Sequence, residues 1–581
     1  MNTDEAVSRE RRSPNSPIAN RLWSSTALVF FAAFLAKIPA LNSWWCLDDW
    51  GQLARAAGSA KSEYLIPARW LSQHFYWTAT WPLFGLEAAP YALTRILLHS
   101  VSAALVARIA KKLGMGSMPS LVAGLVFAAS PISFTALYWA SGIQELLGGA
   151  FALLAIDRWL ADSRKSALWA TIFGVCSILS KECGLGLPIV LMAALIWNER
   201  YGNRRGPFRW TLVFVLVVTG ILEGFLVWRN FPTGLDDAYR IGGFLVVVGN
   251  VGKFGWWMLT QGPVFTGRVT WTLAGIGLGF FIIWATWASI LFRRGNRAPL
   301  TLFVAAMLSL APALVLVHQA RPYMGYLAMA CLSISIGFIL PKRWKFEAPF
   351  KIALVAAAIT WGLWGMTHRV GVLSDDGLPA DPIVRAMENS RIWSQYISNS
   401  LSQSGFGEAA DIVVLQQPLR AEDIARSTRL GDDFVLETTQ RRVLGGDSGL
   451  ALIAGKGHEG YWINSLMEVP TDAYVFFETS RGFKAWGPTW DALIYASLLD
   501  VFVGNFQRAQ DQLRLAAQVE KRVHLFNYDP DNLRLPMSVF RKQSGLFIDE
   551  LLVTNSDDPA GGNTTTPEYE FYLDLLKRVS E

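Results

Sequence analysis

Two adjacent carboxylates, Asp48 and Asp49, follow directly on the first long apolar run, within Trp44-Trp45-Cys46-Leu47-Asp48-Asp49-Trp50. A carboxylate set among aromatics at a membrane surface suits a general base that takes a proton from an acceptor hydroxyl. Its neighbour then orients that hydroxyl or binds a metal. The same pair also suits a plain helix N-cap. Residue types alone leave both readings open.

Cations and further acids recur at the ends of later apolar runs. Arg95 and His99 are four apart and share one helix face, where they suit either a lipid phosphate or interhelical hydrogen bonds. Glu145 enters an apolar run with no neighbouring cation, so it needs a partner on another helix or a proton. Leu179-Ser180-Lys181-Glu182-Cys183-Gly184 sits between two apolar runs. There Lys181 is a point charge for phosphate, and Glu182 either holds it or works beside the Asp pair; a loop ion pair is the simpler alternative. His318, Arg321 and Tyr323 lie in one connection, with Arg321 at the start of a run where a phosphate headgroup would lie.

These residues are positioned by membrane spans. Hydrophobic residues make up 52% of the 581 and charged residues 17%, and the apolar runs crowd between about 24 and 366. A span takes about 20 apolar residues, and its backbone must bond internally, so the runs are helices. The pattern predicts about eleven spans, near 24–41, 91–110, 118–134, 142–160, 167–181, 185–197, 210–228, 271–292, 299–317, 323–340 and 350–366. With the N-terminus inside, predicted inside segments carry 21 Lys and Arg against 8 in the longer outside loops. That bias sets the orientation. Residues 241–262 are read as an interfacial helix on the outer face, because a further span there would place Arg293 and Arg297 outside. The net charge of +6 sits in short clusters between apolar runs, which encodes topology and gives no reason to expect nucleic acid. The four cysteines follow no metal or disulfide spacing.

The expected organisation is a cytoplasmic tail (1–23), a polytopic α-helical membrane domain (24–366) and an extracytoplasmic α+β domain (367–581). In the last, 410–416 and 474–478 read as strands. Residues 490–520 read as a helical hairpin of the tetratricopeptide type.

In this order the elements resemble the GT-C superfamily of integral-membrane glycosyltransferases, above all protein O-mannosyltransferases and their tetratricopeptide-containing relatives. The resemblance is carried by Tyr64 to Leu71, Leu83 to Leu86, Pro90-Tyr91, Leu98-His99, Phe127 to Pro131, Gly142 to Leu147, Leu179 to Glu182 with Pro188, and Arg321-Pro322-Tyr323 with Tyr326. It implies a polyprenyl-phosphate-sugar donor, inversion, an extracytoplasmic site, Asp48 or Asp49 as base, and Lys181 and Arg321 on the carrier phosphate, joined by Arg69 or Arg95. It further implies His99, Glu145, Glu182, His318 and Tyr323 around donor and acceptor. Relatives often carry His-Pro and a following Glu where this chain has Ser130-Pro131 and Ala136, so the need for a divalent metal stays open. The acceptor is a protein, lipid or polysaccharide at a bacterial inner membrane. The competing readings are an O-antigen ligase or polymerase, and a non-catalytic flippase or scaffold.

Overall fold

The computed structural model describes residues 17–59, 69–161, 163–199, 207–229, 240–260, 269–317, 320–341, 348–373, 379–403, 411–415, 440–455, 458–463, 470, 473–479 and 482–489, with isolated residues between 492 and 515. His318 and most of 490–520 lie outside the described residues. The chain divides into two compact units, one of 1–394 with 420–452 and one of 395–419 with 453–581.

The first unit is a helical membrane body. Among the described residues seven helices are long and apolar enough to cross a bilayer, and four shorter apolar helices accompany them. In chain order the first unit carries α1 (Pro17–Lys37), α2 (Asp48–Ala57), α3 (Tyr76–Phe84), α4 (Ala88–Lys112), α5 (Ser117–Ala129), α6 (Phe134–Tyr138), α7 (Ile143–Trp159), α8 (Arg164–Ile178), α9 (Leu187–Glu199), α10 (Pro207–Arg229), α11 (Phe244–Thr260), α12 (Trp271–Arg293), α13 (Ala298–Leu314), α14 (Tyr326–Gly337) and α15 (Ala348–Gly371). Phe214, Ile221, Ile283 and Ile352 are each at least 66% exposed on these helices. Large apolar side chains turned outward on apolar helices mark a protein whose solvent is lipid. The chain is a multi-pass membrane protein.

Segment 241–262 departs from expectation. Gly249 meets the Trp271 ring, a Cβ on Gly252 would lie 2.3 Å from the Ala274 carbonyl oxygen, and one on Gly255 would lie 2.1 Å from that of Gly277. Each contact advances along both helices together, so α11 and α12 run side by side in the same direction. Two successive parallel helices start at the same face. Helix α11 therefore lies lengthwise against α12. Glycines make the pair possible, because backbones touch where side chains would stand.

Past α15 come α16 (Pro382–Gln403), α17 (Gln440–Val443) and α18 (Asp447–Ala454). In the second unit β1 (Asp411–Leu415), β2 (Gly460–Ile463), β3 (Ala473–Thr479) and β4 (Gly482–Pro488) form one sheet of order β2-β1-β3-β4. β1 pairs parallel with β2 and β3, and β3 pairs antiparallel with β4. Consecutive Ile412, Val413 and Val414 are all buried, as a central parallel strand covered on both faces requires. The expected strands at 410–416 and 474–478 are β1 and β3.

Candidate active site

Four links radiate from the seven residues Trp139–Glu145, which lead into and begin α7. Ser141 donates to Asp49 Oδ1 from both its backbone N–H and its hydroxyl, each at 2.6 Å. Gln144 Oε1 accepts from Arg69 Nη1 at 3.2 Å. Glu145 lies 3.5 Å from Lys181 Nζ. The Trp139 ring meets Tyr323 edge-on at 6.0 Å. The first loop, the Lys181-Glu182 connection and the Arg321-Pro322-Tyr323 turn are thereby gathered around one segment.

The acid pair splits. Asp48 is exposed at the first position of α2, whereas Asp49 is wholly buried. Asp49 Oδ2 also accepts from the Cys46 N–H at 3.1 Å. Burial pushes the Asp49 carboxyl up to about 7, although the Ser141 and Cys46 donors and the Arg95 charge favour the ionised form. Asp49 thus ties the loop to α7 and leaves Asp48 facing outward. Leu47, just before the pair, has a φ of 54° and donates its N–H to the Val443 carbonyl. The Trp50 indole donates to Ser390 Oγ at 2.9 Å, and Gly445 and Gly449 abut the Trp50 Cβ. Segments far along the chain, 382–394 and 440–452, therefore pack on the helix that carries Asp48.

Arg69 is the other described non-glycine with positive φ, at 61°. Its backbone is strapped from both sides. Glu223 Oε1 accepts its N–H at 2.7 Å, the following Leu71 N–H reaches the Leu179 carbonyl at 3.1 Å, and Ser72 Oγ donates to the Ser180 carbonyl at 2.6 Å. Its Nε bonds Glu182 Oε1 at 2.6 Å. Lys181 Nζ stands 3.8 Å from the other Glu182 oxygen. Gly148 lets α7 approach, since a Cβ there would come within 3.1 Å of the Lys181 Cβ. Strained backbone costs about 1–3 kcal/mol per residue and persists only where surroundings over-determine it. Here the Arg69 guanidinium meets Glu182, the Lys181 ammonium lies near Glu145 and Glu182, and Glu223 holds the Arg69 backbone.

Arg95 and His99 take the structural alternative. Arg95 is 1% exposed; its Nε donates to the Leu137 carbonyl at 2.8 Å and its Nη2 to Ser43 Oγ at 2.7 Å. His99 is buried between the Tyr326 hydroxyl at 3.0 Å and the Ala128 carbonyl at 3.2 Å. Helices enclose both side chains and use both His99 ring nitrogens and the Arg95 Nε and Nη2, while Arg95 Nη1 is buried without a hydrogen-bond partner. Lys37, likewise buried, donates to the Ser130 carbonyl at 3.0 Å. Arg321 precedes the turn Pro322–Gly325 and is half-buried. Sequence reasoning missed Ser141, Gln144 and Glu223. The usable signal for Glu223 is an unaccompanied acid inside an otherwise apolar span.

Among the described residues no three His, Cys, Asp or Glu side chains gather closely enough to hold a metal ion. Glu145 and Glu182 are engaged by Lys181 and Arg69.

No family model matches the chain. A stretch covering 24% of it is 32% identical over 148 residues to Protein O-mannosyl-transferase tmtc2 of Xenopus laevis. That relative is a protein O-mannosyltransferase. The match spans 17% of the relative's own length. The structure of ArnT from Cupriavidus metallidurans bound to undecaprenyl phosphate is similar at a TM-score of 0.35 and 14% identity, over 76% of this chain and 77% of that one. The resemblance to GT-C glycosyltransferases read from the motifs is thus met by a local match to a protein of the same kind.

Proposed function

We propose that the chain transfers a sugar, a hexose or pentose, from a polyprenyl-phosphate carrier to a hydroxyl on the extracytoplasmic side of a bacterial inner membrane, with inversion. Residues 1–23 are then cytoplasmic, 24–366 form the transferase domain, and 367–581 lie on the acceptor side. The observation that carries this reading is the gathering of the Asp48 loop, Arg69, Lys181 and the Arg321 turn around Trp139–Glu145. The local likeness to a protein O-mannosyltransferase supports it.

In this mechanism the acceptor oxygen attacks the anomeric carbon from the face opposite the phosphate. The carbon–oxygen bond to phosphate breaks, the acceptor proton passes to Asp48, and polyprenyl phosphate leaves. Lys181 and Arg321 meet the charge that develops on the leaving oxygen. Arg69, bonded to Glu182 and Gln144, fixes the wall beside Lys181. The carrier's tail fits an apolar cleft of about 650 Å³ bordered by Val126, Met258, Trp284, Ile336 and Trp361. Met258 sits against Gly325, four residues past Arg321. A protein, lipid or polysaccharide can supply the hydroxyl.

The test is donor consumption in membranes containing Lys181→Gln or Arg321→Gln, read as release of polyprenyl phosphate from a synthetic lipid-linked sugar. Each variant is expected to lose about tenfold or more, the scale of one charge-assisted phosphate contact. Wild-type rates in both would end the phosphate assignment.

A further inference from the structure

A second ionic cluster stands at the other ends of α4 and α7, a span's depth from the candidate site. Asp157 is 1% exposed, and three cations meet it. Lys112 Nζ lies 2.7 Å from Oδ1 and also donates to the Asp157 carbonyl at 2.6 Å. Arg108 Nε lies 3.0 Å from the same oxygen, and Arg158 Nε 4.0 Å from Oδ2. Among the described residues, three cations thus face this one carboxylate. The Lys112, Arg108 and Arg158 side chains are 25%, 34% and 43% exposed, so that charge opens outward. Arg209 does not offset it. It donates to the Trp159 and Ala161 carbonyls and lies over the Trp159 ring, closing the end of α7.

A staple between two spans needs one pair. Three cations around one buried acid instead form a cationic cradle, in which Asp157 draws Lys112 and the Arg108 Nε close and has Arg158 at 4.0 Å. The neighbouring surface identifies the anion's source. Leu97 and Val101 on α4 are 40% and 37% exposed. They lie eleven and seven residues before Arg108, on the same helix face. An apolar, lipid-facing stripe therefore runs down α4 to the cluster. A phosphate ester carrying acyl chains can use both features, and a free phosphate only one.

We propose that Arg108, Lys112 and Arg158, arranged by Asp157, bind the phosphate of an anionic phospholipid in the leaflet opposite the candidate transfer site. A zwitterionic lipid brings its own ammonium and gains less from the cradle. The site is independent of the sugar-transfer reading.

The experiment is native mass spectrometry of the full-length protein in detergent, with dioleoylphosphatidylglycerol, dioleoylphosphatidylcholine or inorganic phosphate added at equal concentration. Wild type and Arg108→Gln/Arg158→Gln are compared. That variant keeps the Lys112–Asp157 pair, and Lys111→Gln serves as a neighbouring control that matches the single Arg158→Gln in charge. The wild type and Lys111→Gln are expected to retain phosphatidylglycerol over phosphatidylcholine, and the double variant to lose about tenfold or more of that preference, since each basic residue near an anionic lipid is worth about 1 kcal/mol. If the double variant does not fold, Arg158→Gln alone, whose cation is the most exposed, should lose part of the preference. Equal retention by the folded variants overturns the proposal. So does inorganic phosphate competing away the lipid at equal concentration, which would mark a free-anion site.

Discussion

Ser141 gives both its backbone N–H and its hydroxyl to one oxygen of Asp49, each at 2.6 Å, across 92 residues of sequence. This bond fixes the acid pair relative to α7, and it assigns the two carboxylates different work. Asp49→Asn must turn an amide N–H toward a donor at either Ser141 or Cys46. A buried donor left unpaired costs about 1–3 kcal/mol. Thermal unfolding of purified Asp49→Asn is expected to show that loss, with Asp48→Asn unfolding like the wild type.

The same carboxyl should leave a pH signature. Its pKa stands at about 7 against an ordinary 3.8, raised by burial. A carboxyl raised on folding contributes stability at low pH and loses it as pH climbs through the folded value. The wild-type Tm should therefore fall relative to that of Asp49→Asn from about pH 4 to about pH 7 and run level with it above that. Parallel pH profiles for the two proteins would show that Asp49 does not titrate in this range.

The strap on Arg69 separates its two acids. Glu182→Gln removes a charge that faces both Arg69 and Lys181. Its cost is roughly 2 kcal/mol, below the value for a fully buried pair because a quarter of the Arg69 side chain is exposed. Glu223→Gln keeps an oxygen for the Arg69 N–H and should cost under about 1 kcal/mol, whereas Glu223→Leu leaves that N–H unpaired and should cost about 1–3 kcal/mol. Denaturation of the three variants in one detergent ranks them. Equal losses for Gln and Leu at 223 would contradict the hydrogen-bond role.

Gly149 allows α7 to meet α14. A Cβ there would stand 2.7 Å from the Tyr326 ring, whose hydroxyl bonds His99. Gly149→Ala should destabilise by about 1–3 kcal/mol through overpacking. Loss of thermal stability equal to that of an exposed-face Gly275→Ala change would count against it.

Much of this architecture is legible in the sequence because lipid imposes a simple rule: long apolar runs become helices. The spans, the Lys181-Glu182 hairpin and Glu145's need for a distant partner all follow from it. The pairings do not. Gln144, Ser141 and Glu223 are single polar residues in apolar surroundings, and their partners lie 75, 92 and 154 residues away. Arg95 and His99 share a face as spacing requires, but spacing cannot say whether that face meets headgroups or other helices. For segment 241–262, composition reports how apolar a helix is and not the direction in which it runs. Its glycines matter only once α12 is beside it.

In the proposed reaction exposed Asp48, held in place by buried Asp49, takes the acceptor's proton. It is tested most directly by sugar incorporation from a labelled polyprenyl-phosphate donor into endogenous acceptors, in membranes carrying wild type or Asp48→Asn at equal protein level. Incorporation by the wild type is expected, with a loss of about a hundred- to ten-thousandfold in Asp48→Asn, the contribution of a positioned general base. Undiminished incorporation by folded Asp48→Asn would contradict it.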